Sequence, residues 1–256
     1  WLVDRFEIKL SKRPGMGQAF APIDPASFVE DWSVLTDKLL NATWKTPDPN
    51  REIKIRMLTI DTGGEDGVTH NAYAWYRRLR AAGLSHRVML VKGGSHAQEK
   101  PVVRGTARTN EGRPMRDMPI WIINTDFYKD MVAASLRRKA PGPGYAHIPA
   151  WIKQVCPGYF DELRAEVRQA NGKWKKVRPR NEALDLWVYS LAIVEAEGFG
   201  PKGRLSWDNP PAWALPQAGM GNSEIITAEE RRAERTPVQQ PQKPTTISSD
   251  AWSRRL

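Results

Sequence analysis

The sequence predicts an α/β fold, in which a mixed sheet is flanked by helices. Short apolar runs with strand character alternate with segments whose apolar residues recur at helical spacing. A strand ending at Asp61, a helix over 71–82 and a strand over 87–91 form one strand–helix–strand unit, and a strand followed by a helix occupies 119–138. The 256 residues with 40% hydrophobic content are sufficient for a packed core.

The N-terminal elements are predicted from alternation and from helix-start signals. Alternating apolar residues over 1–8 predict an opening strand. Asp24 followed by Pro25 is typical of a helix N-cap and first turn, and apolar residues at helical spacing extend this helix to Leu40. Residues 52–60 are predicted to form the next strand.

The later elements follow from the same patterns. The polar, basic stretch 95–117 predicts a long mobile loop. The prolines and glycines of 141–144 exclude a helix, because proline lacks the amide donor that a helix interior needs. We predict a helix over 159–170, a short basic strand or turn over 173–177 and an apolar helix over 181–197.

Residues 1–198 are predicted to form one domain and residues 199–256 a flexible tail. Beyond Phe199 the apolar periodicity ends, and Pro, Gln, Ser and Thr dominate. The chain starts with Trp1 directly in the predicted opening strand, without a methionine. We therefore interpret the domain as N-terminally truncated.

Composition limits the classes of function. A net charge of +10 gives a positive field that favours a polyanionic partner, nucleic acid before a membrane surface. No segment approaches the roughly 20 apolar residues that a transmembrane helix needs, and no signal peptide opens the chain, so a soluble, unsecreted protein is predicted. The single Cys156 cannot form an internal disulfide or a thiolate zinc site alone, which favours a cytoplasmic setting.

Two separated acidic residues predict a site for a divalent metal. Asp61 follows an apolar strand, and ligands of open α/β sheets bind at this carboxyl edge. Asp185 lies in the apolar helix, where a carboxylate needs a compensating cation, and Glu182 lies one turn earlier on the same face. Such oxygen ligands bind Mg²⁺ or Mn²⁺. The alternative is structural, with Asp61 in a turn, Glu182 at a helix start and Asp185 paired with an arginine.

Three further residues are candidates for the same site. Asp126 follows the strand over 119–124 and is a candidate metal ligand, although the first turn of a helix also favours an acid. Lys92 and Lys129 are candidates for contacting phosphate or orienting a water molecule. Surface lysines without such a role are the alternative.

Basic residues concentrate around the helix over 71–82, on the 95–117 stretch and just before the acidic helix. Clusters of this kind bind backbone phosphates without reading the base sequence. The candidates for DNA contacts are Arg104, Arg108, Lys173, Lys175, Lys176, Arg178 and Arg180. The chain has no GxxxxGK[ST] motif, so this segment is not predicted to hydrolyse ATP.

Five motifs occur in a fixed order along the chain. They are Ile-Asp-Thr-Gly-Gly at 60–64, Val-Lys-Gly at 91–93, Asn-Thr-Asp at 124–126 with Lys129, Pro-Gly-Pro-Gly-Tyr-Ala-His-Ile-Pro at 141–149, and Asn-Glu-Ala-Leu-Asp at 181–185 with Val188 and Tyr189. In this order the motifs resemble the nuclease region of large terminase subunits, in the lambda-like, GpA-type branch.

The resemblance implies an RNase H-like domain that cuts concatemeric viral DNA during packaging, using Mg²⁺ or Mn²⁺. It implies Asp61 as the acid at the end of the fourth strand and Asp185 as the acid on the late helix. On this reading Glu182 is a weaker candidate ligand, and Lys92 or Lys129 would stabilise phosphate charge. The first acid of the family precedes the segment that matches Trp1, so we expect it to be missing here.

The resemblance also implies partners and a location. The partners are double-stranded DNA, the ATPase domain of the same polypeptide, the small terminase subunit and the portal protein, in the cytoplasm of an infected bacterium. Two other functions stay open. One is a non-catalytic DNA-binding or packaging-scaffold module, and the other is an RNase H-like resolvase that prefers branched DNA.

Overall fold

The structure is a computed structural model of the chain. It describes residues 1–11, 13, 21–45, 51–64, 67–94, 98–199, 203–206, 208, 211 and 225–227. Most of the segment 199–256 lies outside the described residues, so the flexibility of the tail and the boundary after residue 198 stay predictions. Within that segment Ile225–Thr227 forms a short strand.

The described residues contain short strands and helices in alternation. The strands are β1 (Thr43–Lys45), β2 (Arg51–Lys54), β3 (Leu58–Asp61), β4 (Val88–Gly93), β5 (Val102–Arg108), β6 (Pro114–Ile123), β7 (Glu166–Arg168), β8 (Trp174–Lys176) and β9 (Ile225–Thr227). The α-helices are α1 (Glu30–Leu35), α2 (Val68–Ala81), α3 (Thr125–Arg137), α4 (Ile152–Val155), α5 (Tyr159–Leu163) and α6 (Glu182–Val194). A 3₁₀ turn at Ser85–Arg87 precedes β4, and π-helical turns at Thr36–Leu40 and Glu195–Phe199 extend α1 and α6.

A four-stranded mixed sheet lies at the centre, in the order β3-β4-β6-β5. β3, β4 and β6 are parallel, and β5 is antiparallel to β6. Because parallel strands end at the same edge, Asp61 at the end of β3 lies beside Val91 and close to the carboxyl end of β4. The two smaller sheets have the order β1-β2-β9 and β7-β8, with antiparallel pairing throughout.

Helices cover both faces of the central sheet. In β4, Val88 and Leu90 join one hydrophobic cluster while Met89 and Val91 join the other, as the two-residue period of a strand requires. The first cluster contains α2, and the second contains α3 and α6. This arrangement confirms the predicted α/β fold with a mixed sheet flanked by helices. No described helix is both long and apolar enough to cross a membrane.

Two strand predictions near the N-terminus were wrong. Residues 1–8 form no strand, and the amide of Leu2 donates instead to the carbonyl of His147 at 2.9 Å, while the Trp1 ring stacks on the His147 ring. Residues 52–60 form two strands rather than one. The chain breaks between β2 and β3, where the buried Arg87 donates to the Ile55 carbonyl.

Two predictions in the middle of the chain were also wrong. The stretch 95–117 is not a loop over its whole length, because β5 and the first part of β6 form an antiparallel hairpin there. The exposed arginines of β5 made its composition typical of a loop, so the sequence did not indicate that Ala107 packs into the core. The helix predicted over 159–170 ends at Leu163, because Glu166–Arg168 pairs with Trp174–Lys176 as β7 and β8.

Candidate metal centre and nucleic-acid surface

Asp61 is held by contacts from two parts of the fold. Its Oδ1 accepts a hydrogen bond of 2.8 Å from the amide of Gly63, and its Oδ2 accepts one of 2.7 Å from the hydroxyl of Tyr189. The first contact is the turn that the structural alternative predicted. The second links the end of β3 to α6. The Asp61 side chain remains exposed at the sheet edge, where a ligand can reach it.

Helix α6 places Asp185 and Tyr189 together. Leu184, Val188 and Ala192 recur every four residues and pack into the core with α3, so the helix is fixed against the sheet. Asp185 and Tyr189 are also four residues apart and therefore share the neighbouring face. The Tyr189 contact with Asp61 shows that this face is turned toward the end of β3.

The environment of Asp185 disfavours its charged form. Burial raises the pKa of its carboxyl to about 6, the positive charge of Lys129 opposes this rise, and the charges of Glu166, Glu182 and Asp61 add to it. Burial and the charge of Asp61 also raise the pKa of the Tyr189 hydroxyl.

The sequence-predicted acids Asp61, Asp185 and Glu182 thus share one electrostatic environment. Asp61 and Asp185 are the side chains that could hold a divalent cation. Glu182 is exposed on the first turn of α6. Among the described residues, no group of three or more His, Cys, Asp or Glu side chains has the arrangement of a complete metal site. A cation bound here would therefore need water molecules among its ligands.

A buried ion pair adjoins this site. Lys129 Nζ lies 2.9 and 2.8 Å from the two carboxylate oxygens of Glu166, and both residues are more than 90% buried. Asn181 Nδ2 donates to Glu166 Oε1 at 2.9 Å and to Asp185 Oδ2 at 2.8 Å. Lys129 was predicted to contact phosphate as a candidate site residue. The structure places it in this pair, and its predicted role stays a prediction.

Sequence reasoning missed the roles of Glu166 and Asn181. Asn181 belonged to the Asn-Glu-Ala-Leu-Asp motif, but its three hydrogen-bond partners come from β7, β8 and α6. Glu166 fell within a predicted helix, and only the β7–β8 hairpin brings it beside Lys129. No local signal in the sequence indicates these long-range contacts.

Two other candidates lie apart from this network. Asp126 occupies the first turn of α3, as the structural interpretation predicted, and its Oδ1 accepts a hydrogen bond of 3.2 Å from the amide of Trp174. Lys92 lies near the carboxyl end of β4, in register with Ile122. The strongest electrostatic neighbours of Asp185 include neither residue. Their predicted roles as metal ligand and phosphate contact stay predictions.

The basic candidates lie on two hairpins and on the segment before α6. Arg104 and Arg108 belong to β5, and the Arg104 guanidinium lies 6.0 Å from the ring centroid of Trp121. Lys173 and Lys175 are exposed on the β7–β8 hairpin, and neither forms an ion pair with a described residue.

The remaining three basic candidates have polar partners on the protein. Lys176 Nζ donates to Asn181 Oδ1 at 2.8 Å. Arg178 lies 3.3 Å from Asp161, and Arg180 lies 2.7 Å from Glu7 and 3.3 Å from Glu162. The lysines at 173 and 175 are therefore more available to a phosphate than these two arginines.

The comparisons with known proteins agree with the order of motifs. The family model described as the endonuclease domain of the terminase large subunit gpA matches residues 1–207. No curated protein and no solved structure matched the chain. The matched span includes Asp61, Asp185, the Lys129–Glu166 pair and both basic hairpins. The chain belongs to the family of terminase large subunit gpA endonuclease domains.

Proposed function

We propose that this chain is a divalent-metal-dependent endodeoxyribonuclease that cuts concatemeric DNA during packaging. Family membership supports a nuclease acting on DNA in the packaging machinery. The observation that carries the finer proposal is the convergence of Asp61 and Asp185. Asp61 lies at the carboxyl edge of the sheet and Asp185 lies on α6. The hydrogen bond from the Tyr189 hydroxyl to Asp61 connects α6 with the end of β3.

The donor set fits Mg²⁺ or Mn²⁺, which prefer carboxylate oxygens and keep several water ligands. The raised pKa of Asp185 supports this fit, because a carboxylate that is destabilised by burial and by other carboxylates is relieved by a nearby cation. When bound, such ions lower the pKa of an attacking water and stabilise the leaving oxygen.

The residues of the chain would position these groups and the DNA. Tyr189 keeps its proton because burial and Asp61 raise its pKa, so it can donate to Asp61 and fix the orientation of that carboxylate. Lys173 and Lys175 lie on the β7–β8 hairpin, which also carries Glu166, and both are exposed. We propose that these lysines bind backbone phosphates, which positions duplex DNA without reading its sequence.

We further propose that the central sheet is part of an RNase H-like fold. Its three parallel strands, its antiparallel strand and its late acidic helix packed on the sheet support this assignment. Within the described residues β3 is an edge strand that pairs only with β4. The proposed partners besides DNA are the ATPase domain of the same polypeptide, the small terminase subunit and the portal protein.

Nicking of supercoiled plasmid in the presence of Mn²⁺ tests the proposal. We expect the proposed longer polypeptide, in which the ATPase domain and the first acid of the family precede this chain, to nick the plasmid with Mn²⁺ and not with a chelator. We expect Asp61→Asn and Asp185→Asn in that polypeptide to abolish nicking. Asp37→Asn, at an exposed carboxylate far along the chain from this site and from the basic candidates, is the matched control and should nick normally.

Two other results would overturn the proposal, and each would favour a different function. Salt-dependent DNA binding without cutting under any metal would favour the packaging-scaffold function. Cutting that strongly prefers branched over linear duplex would favour the resolvase function.

A further inference from the structure

The side chain of Asn181 does not cap α6, although Asn181 is the residue before the first turn of that helix. Asn181 is the N-cap residue of α6, and an asparagine there commonly accepts a hydrogen bond from an amide of the first helical turn. Here it makes no such bond. The amide of Ala183, in the first turn, donates instead to Glu162 Oε2 at 3.1 Å. The Asn181 amide is therefore available for contacts outside the helix.

Three contacts determine how that amide is oriented. An ammonium group can only donate, so the atom of Asn181 that lies 2.8 Å from Lys176 Nζ must be the oxygen. The nitrogen then faces Glu166 Oε1 and Asp185 Oδ2. The chemistry of the partners thus fixes the amide in one of its two orientations.

Glu166, one of the two acceptors of the Asn181 amide nitrogen, is held in place by Lys129. Both oxygens of Glu166 are bonded to Lys129, and both residues are buried, so Glu166 is a fixed acceptor for Asn181. Because Lys129 and Asn181 occupy the carboxylate of Glu166, this residue is better suited to orient Asn181 than to bind a cation itself. The order of contacts is Lys129, Glu166, Asn181, Asp185.

We propose that Asn181 is a positioning residue for Asp185. Its amide engages Oδ2 of Asp185, whereas Oδ1 has no hydrogen-bond partner among the described residues. Asn181 thus presents Oδ1 of Asp185 to the divalent cation. This inference rests on the proposed function, because it assumes that Asp185 is a ligand.

The expected loss of metal affinity in an Asn181 variant can be estimated from residues that orient metal ligands in other proteins. Loss of such a partner typically lowers metal affinity about 10- to 100-fold. We expect Asn181→Ala to raise the dissociation constant for Mn²⁺ at least about 10-fold. The Mn²⁺ concentration for half-maximal nicking should rise by a similar factor, while the nicking rate at saturating Mn²⁺ should change much less.

Calorimetric titration with Mn²⁺, in the absence of DNA, measures this affinity directly. Asn171→Ala is the matched control, because Asn171 is an exposed asparagine in the turn of the β7–β8 hairpin and makes only a local bond to the amide of Lys173. Asn181→Ser is a second variant. Serine is a favourable N-cap residue, so α6 should still start at the same place if the alanine variant fails to fold.

The outcomes separate the inference from the proposed function. Weaker Mn²⁺ binding in the Asn181 variants, with normal binding in wild type and in Asn171→Ala, supports the inference. Unchanged Mn²⁺ binding in Asn181→Ser would overturn it and leave the proposed function standing, even if urea denaturation showed lower stability. No Mn²⁺ binding by the wild-type chain would overturn both.

Discussion

Replacing Asp185 by Asn should stabilise the folded protein while abolishing the proposed activity. Burial and neighbouring carboxylates disfavour the charged form of Asp185, and an amide of the same shape removes that charge. The new asparagine can still accept the hydrogen bond from Asn181 through its own carbonyl oxygen. A residue whose removal raises stability and eliminates activity is typical of a functional site.

The magnitude follows from the pKa of Asp185. Its ordinary value of 3.8 rises to about 6 in the folded protein. At ~1.4 kcal/mol for each pKa unit, this difference corresponds to at most about 3 kcal/mol of lost stability at pH 8, because solvent screens a carboxyl that is partly exposed. Below about pH 4 the carboxyl is protonated in both the folded and the unfolded state, so the cost is absent. It grows between about pH 4 and pH 6, because only the unfolded state releases its proton there, and it is complete above pH 6.

Urea denaturation of wild type and Asp185→Asn, without divalent metal, measures this difference at pH 4 and at pH 8. We expect the two proteins to differ by less than about 1 kcal/mol at pH 4 and the variant to be more stable by up to about 3 kcal/mol at pH 8. The control Asp161→Asn should change stability by less than about 1 kcal/mol, because it lies in an exposed ion pair. Equal or lower stability of Asp185→Asn at pH 8 would refute the reasoning.

Three further predictions concern the ion pair, a helix cap and the DNA surface. Lys129→Met should lower the free energy of unfolding by about 3–5 kcal/mol, because it leaves the buried Glu166 without its ion-pair partner. Urea denaturation should show that Lys129→Met combined with Glu166→Gln recovers much of this loss. Asn124→Ala removes the N-cap hydrogen bond of α3 and should cost about 1 kcal/mol, measured by thermal unfolding. Changing Lys173 and Lys175 together to Ala should reduce the slope of log affinity for duplex DNA against log salt by about 2, and an unchanged slope would show that they do not contact phosphate.

The elements with a strong apolar period were predictable from the sequence. The helices over Val68–Ala81, Thr125–Arg137 and Glu182–Val194 and the strand over Val88–Gly93 all lie where the pattern placed them, within a few residues. Each of these elements buries one face or both faces in the core, and burial imposes the apolar period that the sequence records.

The elements at the surface were harder to predict. Strand β5 exposes Arg104 and Arg108, so its composition was typical of a loop, and only pairing with β6 makes it a strand. The β7–β8 hairpin is likewise short and polar. Because Glu166 reaches Lys129 through this hairpin, missing β7 also meant missing the buried ion pair.

The position of the buried Lys129 bears on the structural interpretation of Asp185. A structural role predicted a direct ion pair for this carboxylate, and none of the described arginines or lysines lies within 4.0 Å of it. Lys129 lies nearby but bonds both oxygens of Glu166, so that pair is largely neutral. The charge of Lys129 lowers the pKa of Asp185, but burial together with the charges of Glu166, Glu182 and Asp61 outweighs this effect. This arrangement fits the proposed metal site, because a divalent cation binds most readily to a carboxylate that no lysine or arginine already pairs.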